Sequence, residues 1–187
     1  MERRKVRMGK TYTMTIAGLQ RELPLCRVND KLDIAAFVIF GDVPLTIAAA
    51  EELLKKAPEF DVLITAEAKG IPLVYEMARQ SGKPYFIARK YPKLYMKNAV
   101  AVEVRSITTD KMQTLYLDET EMQAIHGRRV LIVDDVISTG ESLRALDKLI
   151  EESGGVIAGQ CAILAEGDAI DRKDIFYLEP LPLFFKD

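Results

Sequence analysis

The chain has 187 residues, a net charge of −2 and 49% hydrophobic residues, enough apolar material for one well-packed domain and too little positive charge for a general nucleic-acid binder. Cys26 and Cys161 are far apart and lack metal-ligand spacing, and a single histidine, His126, leaves only oxygen ligands for any metal, so a reduced, cytoplasmic protein is the simplest expectation. No apolar run reaches membrane-spanning length, and the charged start Met1-Glu2-Arg3-Arg4-Lys5 leads into no signal-peptide core.

In chain order, residues 1–30 read as irregular structure with short strands over Thr11 to Ile16 and Leu23 to Val28, and helical periodicity begins near Lys31. Asp42-Val43-Pro44 predicts a helix start, with Asp42 as the cap and Pro44 in the first turn, running to about Lys56. A buried-type strand over Asp61 to Thr65 precedes a helix over Pro72 to Gln80, which Gly82-Lys83-Pro84 ends. Tyr85 to Ala88 is a strand, and Val100 to Arg105 with Gln113 to Leu117 form two β-rich arms. His126 lies in a turn before the next strand, Val130 to Val133, and reads as a surface residue. The helix from Ser142 to Glu152 places Leu143, Leu146, Leu149 and Ile150 on one face, and Gly154-Gly155 ends it. Val156 to Leu164 and Ile175 to Leu178 complete the strands. Strands alternating with helices predict an α/β fold with a doubly wound, mostly parallel sheet and helices on both faces. Ligands then bind outside the carboxyl ends of the strands.

The most informative segment is Val130-Leu131-Ile132-Val133-Asp134-Asp135-Val136-Ile137-Ser138-Thr139-Gly140-Glu141-Ser142. An apolar strand delivers two adjacent carboxylates, and a Ser/Thr/Gly turn opens a helix. The carboxylates can accept hydrogen bonds from a diol or hold a hydrated divalent cation. The turn offers N–H groups and hydroxyls at a positive helix end, which suits a phosphate. The alternative is a polar strand exit with an N-capped helix. The spacing matches neither the Walker loop nor the dinucleotide fingerprint. Two further strand exits are candidate anion sites: Thr65-Ala66-Glu67-Ala68-Lys69-Gly70, or else an ordinary strand-to-helix turn, and Arg89-Lys90-Tyr91-Pro92-Lys93, or else a solvated charge cluster.

The 130–142 segment resembles the phosphoribosyl pyrophosphate (PRPP) signature of the type I phosphoribosyltransferases, and the resemblance to the adenine branch extends from about Asp61 to the end, including Leu181-Pro182-Leu183-Phe184-Phe185. It implies one domain over 1–187, with residues 1–30 a hood over the base and a flexible loop at about 95–117. It implies that Asp134 and Asp135 hold the ribose hydroxyls and that Ser138, Thr139, Gly140, Glu141 and Ser142 wrap the 5′-phosphate, Glu141 through its backbone N–H. Pyrophosphate falls to Ala68, Lys69, Gly70, Arg89, Lys90 and Lys93, with Lys69 where the branch usually has Arg. Leu25, Cys26 and Arg27 fall near the base, or else form a plain edge strand. The implied reaction transfers a phosphoribosyl group from PRPP to a purine, most closely adenine, with Mg²⁺, in a homodimer that uses no nucleic acid and no membrane. Two departures keep alternatives open. The loop tip Ser106-Ile107-Thr108-Thr109-Asp110 lacks the Glu usual in adenine enzymes and is similar to xanthine enzymes. Ser138 stands where hypoxanthine–guanine enzymes place an Asp base, and it cannot serve as that base at neutral pH. A non-catalytic PRPP-sensing regulator is the other class, although the residues before the first helix are too few for a winged helix.

Overall fold

The computed structural model describes residues 9–105 and 112–186. The loop tip 106–110 therefore lies outside the described residues. Five strands form the central sheet: β4 (Val62–Ala66), β5 (Tyr85–Ala88), β8 (Arg129–Ile137), β9 (Val156–Glu166) and β10 (Phe176–Leu181). They run in the order β10-β9-β8-β4-β5, and every neighbouring pair is parallel. A second sheet, ordered β1-β2-β3-β11, holds β1 (Thr11–Ile16) and β2 (Leu19–Asn29), from the segment expected to form a hood, together with β3 (Leu32–Ala35) and β11 (Leu183–Phe185); we call it the hood sheet.

The helices α1 (Val43–Lys56), α2 (Ile71–Ser81) and α4 (Glu141–Glu152) follow their sequence signals. The Asp42 carboxylate accepts the Leu45 N–H at 3.2 Å, capping α1, and Arg21 of β2 grips the same carboxylate at 2.5 and 2.9 Å. Lys55 and Lys56 close that helix where its carbonyl dipoles are negative. In α4, Leu143, Leu146, Leu149 and Ile150 are all fully buried. Burying side chains of this size stabilises by about 1.5–3 kcal/mol each.

Two cores flank the sheet. One joins Leu131, Val133 and Cys161 to α1, α2 and the hood through Leu45, Leu53, Leu73, Met77 and Ile16. The other joins Val130, Ile132 and Ala162 to α4 and to an antiparallel ribbon, β6 (Val100–Arg105) with β7 (Met112–Leu117). Val102, Leu115 and Leu117 of the ribbon are buried against that second core. The part of the 95–117 segment nearest the sheet is thus packed against that core.

The helical periodicity expected from Lys31 does not hold. Leu32–Ala35 is β3, because antiparallel partners on both sides, Cys26 against Ile34 and Leu183 against Ile34, satisfy its backbone in a way a short helix would not. A further helix, α3 (Glu119–Ile125), carries a capping box between Asp118 and Glu121. His126 is exposed after it, with Nδ1 3.1 Å from the Ser153 carbonyl oxygen, at the sheet end away from the acids.

Candidate active site

Strand β8 lies between β4 and β9 and extends four residues beyond the apolar run, so that Asp134 and Asp135 sit inside it. The Asp134 carboxylate turns back to accept the Asp135 N–H at 2.9 Å. Asp135 is buried, with 2% of its surface exposed. Its Oδ2 faces the Lys69 ammonium at 3.0 Å but takes no directed hydrogen bond, so the contact is one of charge. Burial pushes the Asp134 carboxyl up to about 7, and the adjacent Asp135 charge adds to the rise while the Asp135 N–H and Lys69 oppose it.

Beyond the acids, Gly140 takes φ +72° and leads directly into α4. Glycine suits this position because the left-handed backbone disfavours a side chain; an added Cβ would also meet the Arg172 guanidinium, whose flexible side chain could move aside. Ser138, Thr139, Gly140, Glu141 and Ser142 line a polar pocket of about 110 Å³ that also touches Asp134. The first-turn N–H groups of α4 and the positive end of its dipole are directed at this pocket.

The β4 exit comes close to the acids. A Cβ on Gly70 would lie 2.2 Å from Thr65 Oγ1, so glycine lets this loop fold back on the end of β4, and it would stand at an ordinary contact distance of 3.4 Å from Asp134 Oδ1 of β8. Lys69 projects from it, half exposed, between solvent and Asp135. The β5 exit is tied to the same loop. Glu67 accepts the Lys90 N–H at 3.0 Å, approaches Lys93 Nζ at 3.9 Å and donates its own N–H to the Ala88 carbonyl at 2.9 Å. Arg89 is clamped through its backbone to Tyr116 of β7, at 2.9 and 2.8 Å, and its buried Nε has no hydrogen-bond partner among the described residues.

The acids, the helix-mouth turn, Lys69 and the Arg89–Lys93 segment thus share the carboxyl edge of the sheet. Leu25, Cys26 and Arg27 stand apart: Leu25 packs on the hood core, Cys26 and Arg27 are exposed, and Arg27 pairs with Asp30. A larger cavity of about 730 Å³ beside Ser138 and Thr139 is lined from the hood by Leu183 and not by residues 25–27. Reading the sequence gave no role to Glu67, although it sits inside the quoted Glu67-Ala68-Lys69-Gly70 turn, nor to Glu166, which ends β9. The signal for Glu166 was present, since Cys161 to Ala165 is an apolar run that stops at a carboxylate, as the run before Asp134 does.

Among the described residues, no group of three or more His, Cys, Asp or Glu side chains could enclose a metal ion. None of their helices is long and apolar enough to cross a membrane.

The phosphoribosyl transferase domain model matches residues 42–181. The chain is similar to the purine biosynthesis transcriptional repressor PurR of Bacillus subtilis, 31% identical over 115 residues, which are 62% of this chain and 39% of the repressor. It is similar to the hypoxanthine/guanine phosphoribosyltransferase of Methanohalophilus mahii, 34% identical over 61% of this chain and 56% of that one. With the adenine phosphoribosyltransferase of Rubrobacter xylanophilus it shares 36% identity over 140 residues, 69% of this chain and 71% of the relative. The crystal structure of adenine phosphoribosyltransferase from Thermoanaerobacter pseudethanolicus superposes with a TM-score of 0.65 at 25% identity, covering 76% of this chain and 84% of that one.

Proposed function

The chain belongs to the phosphoribosyl transferase domain family, and on that premise we propose that it transfers the 5-phosphoribosyl group of PRPP to N9 of a purine, adenine foremost, releasing pyrophosphate. The carrying observation is the convergence of the Asp134–Asp135 pair, the α4 mouth and Lys69 at one strand end. Asp134 and Asp135 accept hydrogen bonds from the ribose hydroxyls, and the 138–142 turn holds the 5′-phosphate. The N9 lone pair attacks C1′ while the C1′–O bond to pyrophosphate breaks, and the ring proton of the purine passes to solvent water. Positive charge grows on the ribose, which the two carboxylates favour. Negative charge grows on the departing pyrophosphate, which Lys69, Arg89, Lys90 and Lys93 favour, with the Ala68 and Gly70 backbone shaping that side. Glu67 holds the Lys90 segment in place for this work.

Buried Asp135 Oδ2, with no directed donor, and the neighbouring Asp134 fit a hydrated Mg²⁺ shared with the substrate better than a protein-enclosed one. Such an ion, when bound, neutralises pyrophosphate charge. A homodimer is supported by exposed Phe40, Val43 and Ile47 around α1, and by Tyr91 and Leu94 beyond the Arg89–Lys90 segment. A reduced, cytoplasmic setting agrees with the two unpaired cysteines.

A second reading, a PRPP-binding regulator without catalysis, is favoured by the likeness to the repressor, of whose length this chain spans 39%. The test is pyrophosphate release from PRPP and Mg²⁺ with adenine, xanthine, guanine or hypoxanthine. Release with adenine above the others is the expected result. PRPP binding without release for any base supports the regulator, and release with xanthine alone supports the xanthine reading.

A further inference from the structure

If pyrophosphate departs toward Lys69, displacement at C1′ brings the attacking base in from the opposite face of the sugar. This step rests on the function proposed above. Lys69 follows β4, and β9 is the neighbour of β8 on the other side. The base side is therefore the β9 side, where Ala165 pairs with Ile137 and the next residue is Glu166. The 730 Å³ cavity opens here, between Ser138 and Thr139 of the phosphate turn and Leu183 of the hood, and Glu166 lines it.

The Glu166 side chain is partly buried and makes no hydrogen bond or ion pair among the described residues; the Lys69 charge reaches it only at longer range. The other carboxylates lining the cavity differ: Asp174 is engaged by Arg172 at 2.5 and 2.9 Å, and both Asp168 and Asp174 are exposed. A partly buried carboxylate with no protein donor leaves its acceptor capacity open to a ligand in the cavity. We propose that Glu166 is the specificity-determining residue for the base, accepting a hydrogen bond from the amino group at purine position 6. A 6-oxo purine would set an acceptor against that carboxylate and leave both groups unpaired.

The test is calorimetric binding of ribose 5-phosphate, AMP and IMP to the full chain and to its Glu166→Gln and Glu166→Leu variants. The wild type is expected to favour AMP over IMP by about tenfold or more, the scale of one hydrogen bond to a charged group. Glu166→Gln should bring the two nucleotides within about threefold of one another, because an amide can present either its C=O or its NH₂. Glu166→Leu should lose the advantage of AMP over ribose 5-phosphate. All three proteins should bind ribose 5-phosphate alike, which also reports an intact fold and phosphate turn. An AMP-to-IMP ratio near one in the wild type overturns the inference. So does a ratio unchanged by both substitutions, or a loss of ribose 5-phosphate affinity that matches the loss of AMP affinity. A wild type that binds no ribose 5-phosphate overturns the underlying function as well.

Discussion

The Lys69 ammonium stands 3.0 Å from Oδ2 of Asp135, a carboxylate almost withdrawn from solvent. Under the proposed function one cation serves two neighbouring anion sites: without ligand it balances the ribose acid, and with ligand it faces the leaving group. The diol must take over Asp135 when Lys69 turns to pyrophosphate.

Asp135→Asn should leave the fold intact and cost roughly 3–4 kcal/mol of transition-state stabilisation, a fall of several hundredfold in turnover. The substitution removes the acceptor charge that favours a cationic ribose. Steady-state pyrophosphate release, with circular dichroism as the fold control, measures it.

Asp134→Asn should abolish activity yet raise stability. The Asp134 carboxyl titrates near 7 in the fold and near 4 when unfolded, so the unfolded state ionises first and native stability falls as pH rises between those values. The variant and wild type should therefore match below about pH 4. Above about pH 7 the variant should be more stable by on the order of 1 kcal/mol or more. Thermal melts across pH 4–8 give the difference directly.

Gly70→Ala should destabilise by about 2 kcal/mol, because its Cβ would overlap Oγ1 of the buried Thr65 at 2.2 Å. Thr65→Ala removes that oxygen. The double variant should recover much of the loss, a non-additivity that a double-mutant cycle resolves.

Glu67→Ala should weaken pyrophosphate handling without touching the ribose end. The Lys90 N–H loses its acceptor and Lys93 its nearby charge. In the reverse reaction, KM for pyrophosphate should rise about tenfold while the affinity for ribose 5-phosphate stays unchanged.

Local chemistry made part of this legible before any coordinates. The Asp42 cap, the α4 stripe and the apolar run into Asp134 each rest on residues close in sequence, and each stands in the fold. What escaped depends on distant partners. Leu32–Ala35 becomes a strand between β2 and β11, and Phe184 of β11 packs edge-on against Tyr12 of β1 at 5.1 Å. The same holds at the site. Lys69 and Asp135 come from different strand exits, and so do Glu67 and Lys90, and neither pairing has a signature in sequence spacing. Helix α3 is the exception, since its Asp118-Glu119-Thr120-Glu121 capping box is a signal local in sequence.

The most direct test is a crystal structure of the protein with PRPP and Mg²⁺. The expected electron density has the ribose hydroxyls on Asp134 and Asp135, the 5′-phosphate in the 138–142 turn and pyrophosphate beside Lys69. Density for PRPP bound elsewhere, with Lys69 still on Asp135 and the turn empty, would contradict it.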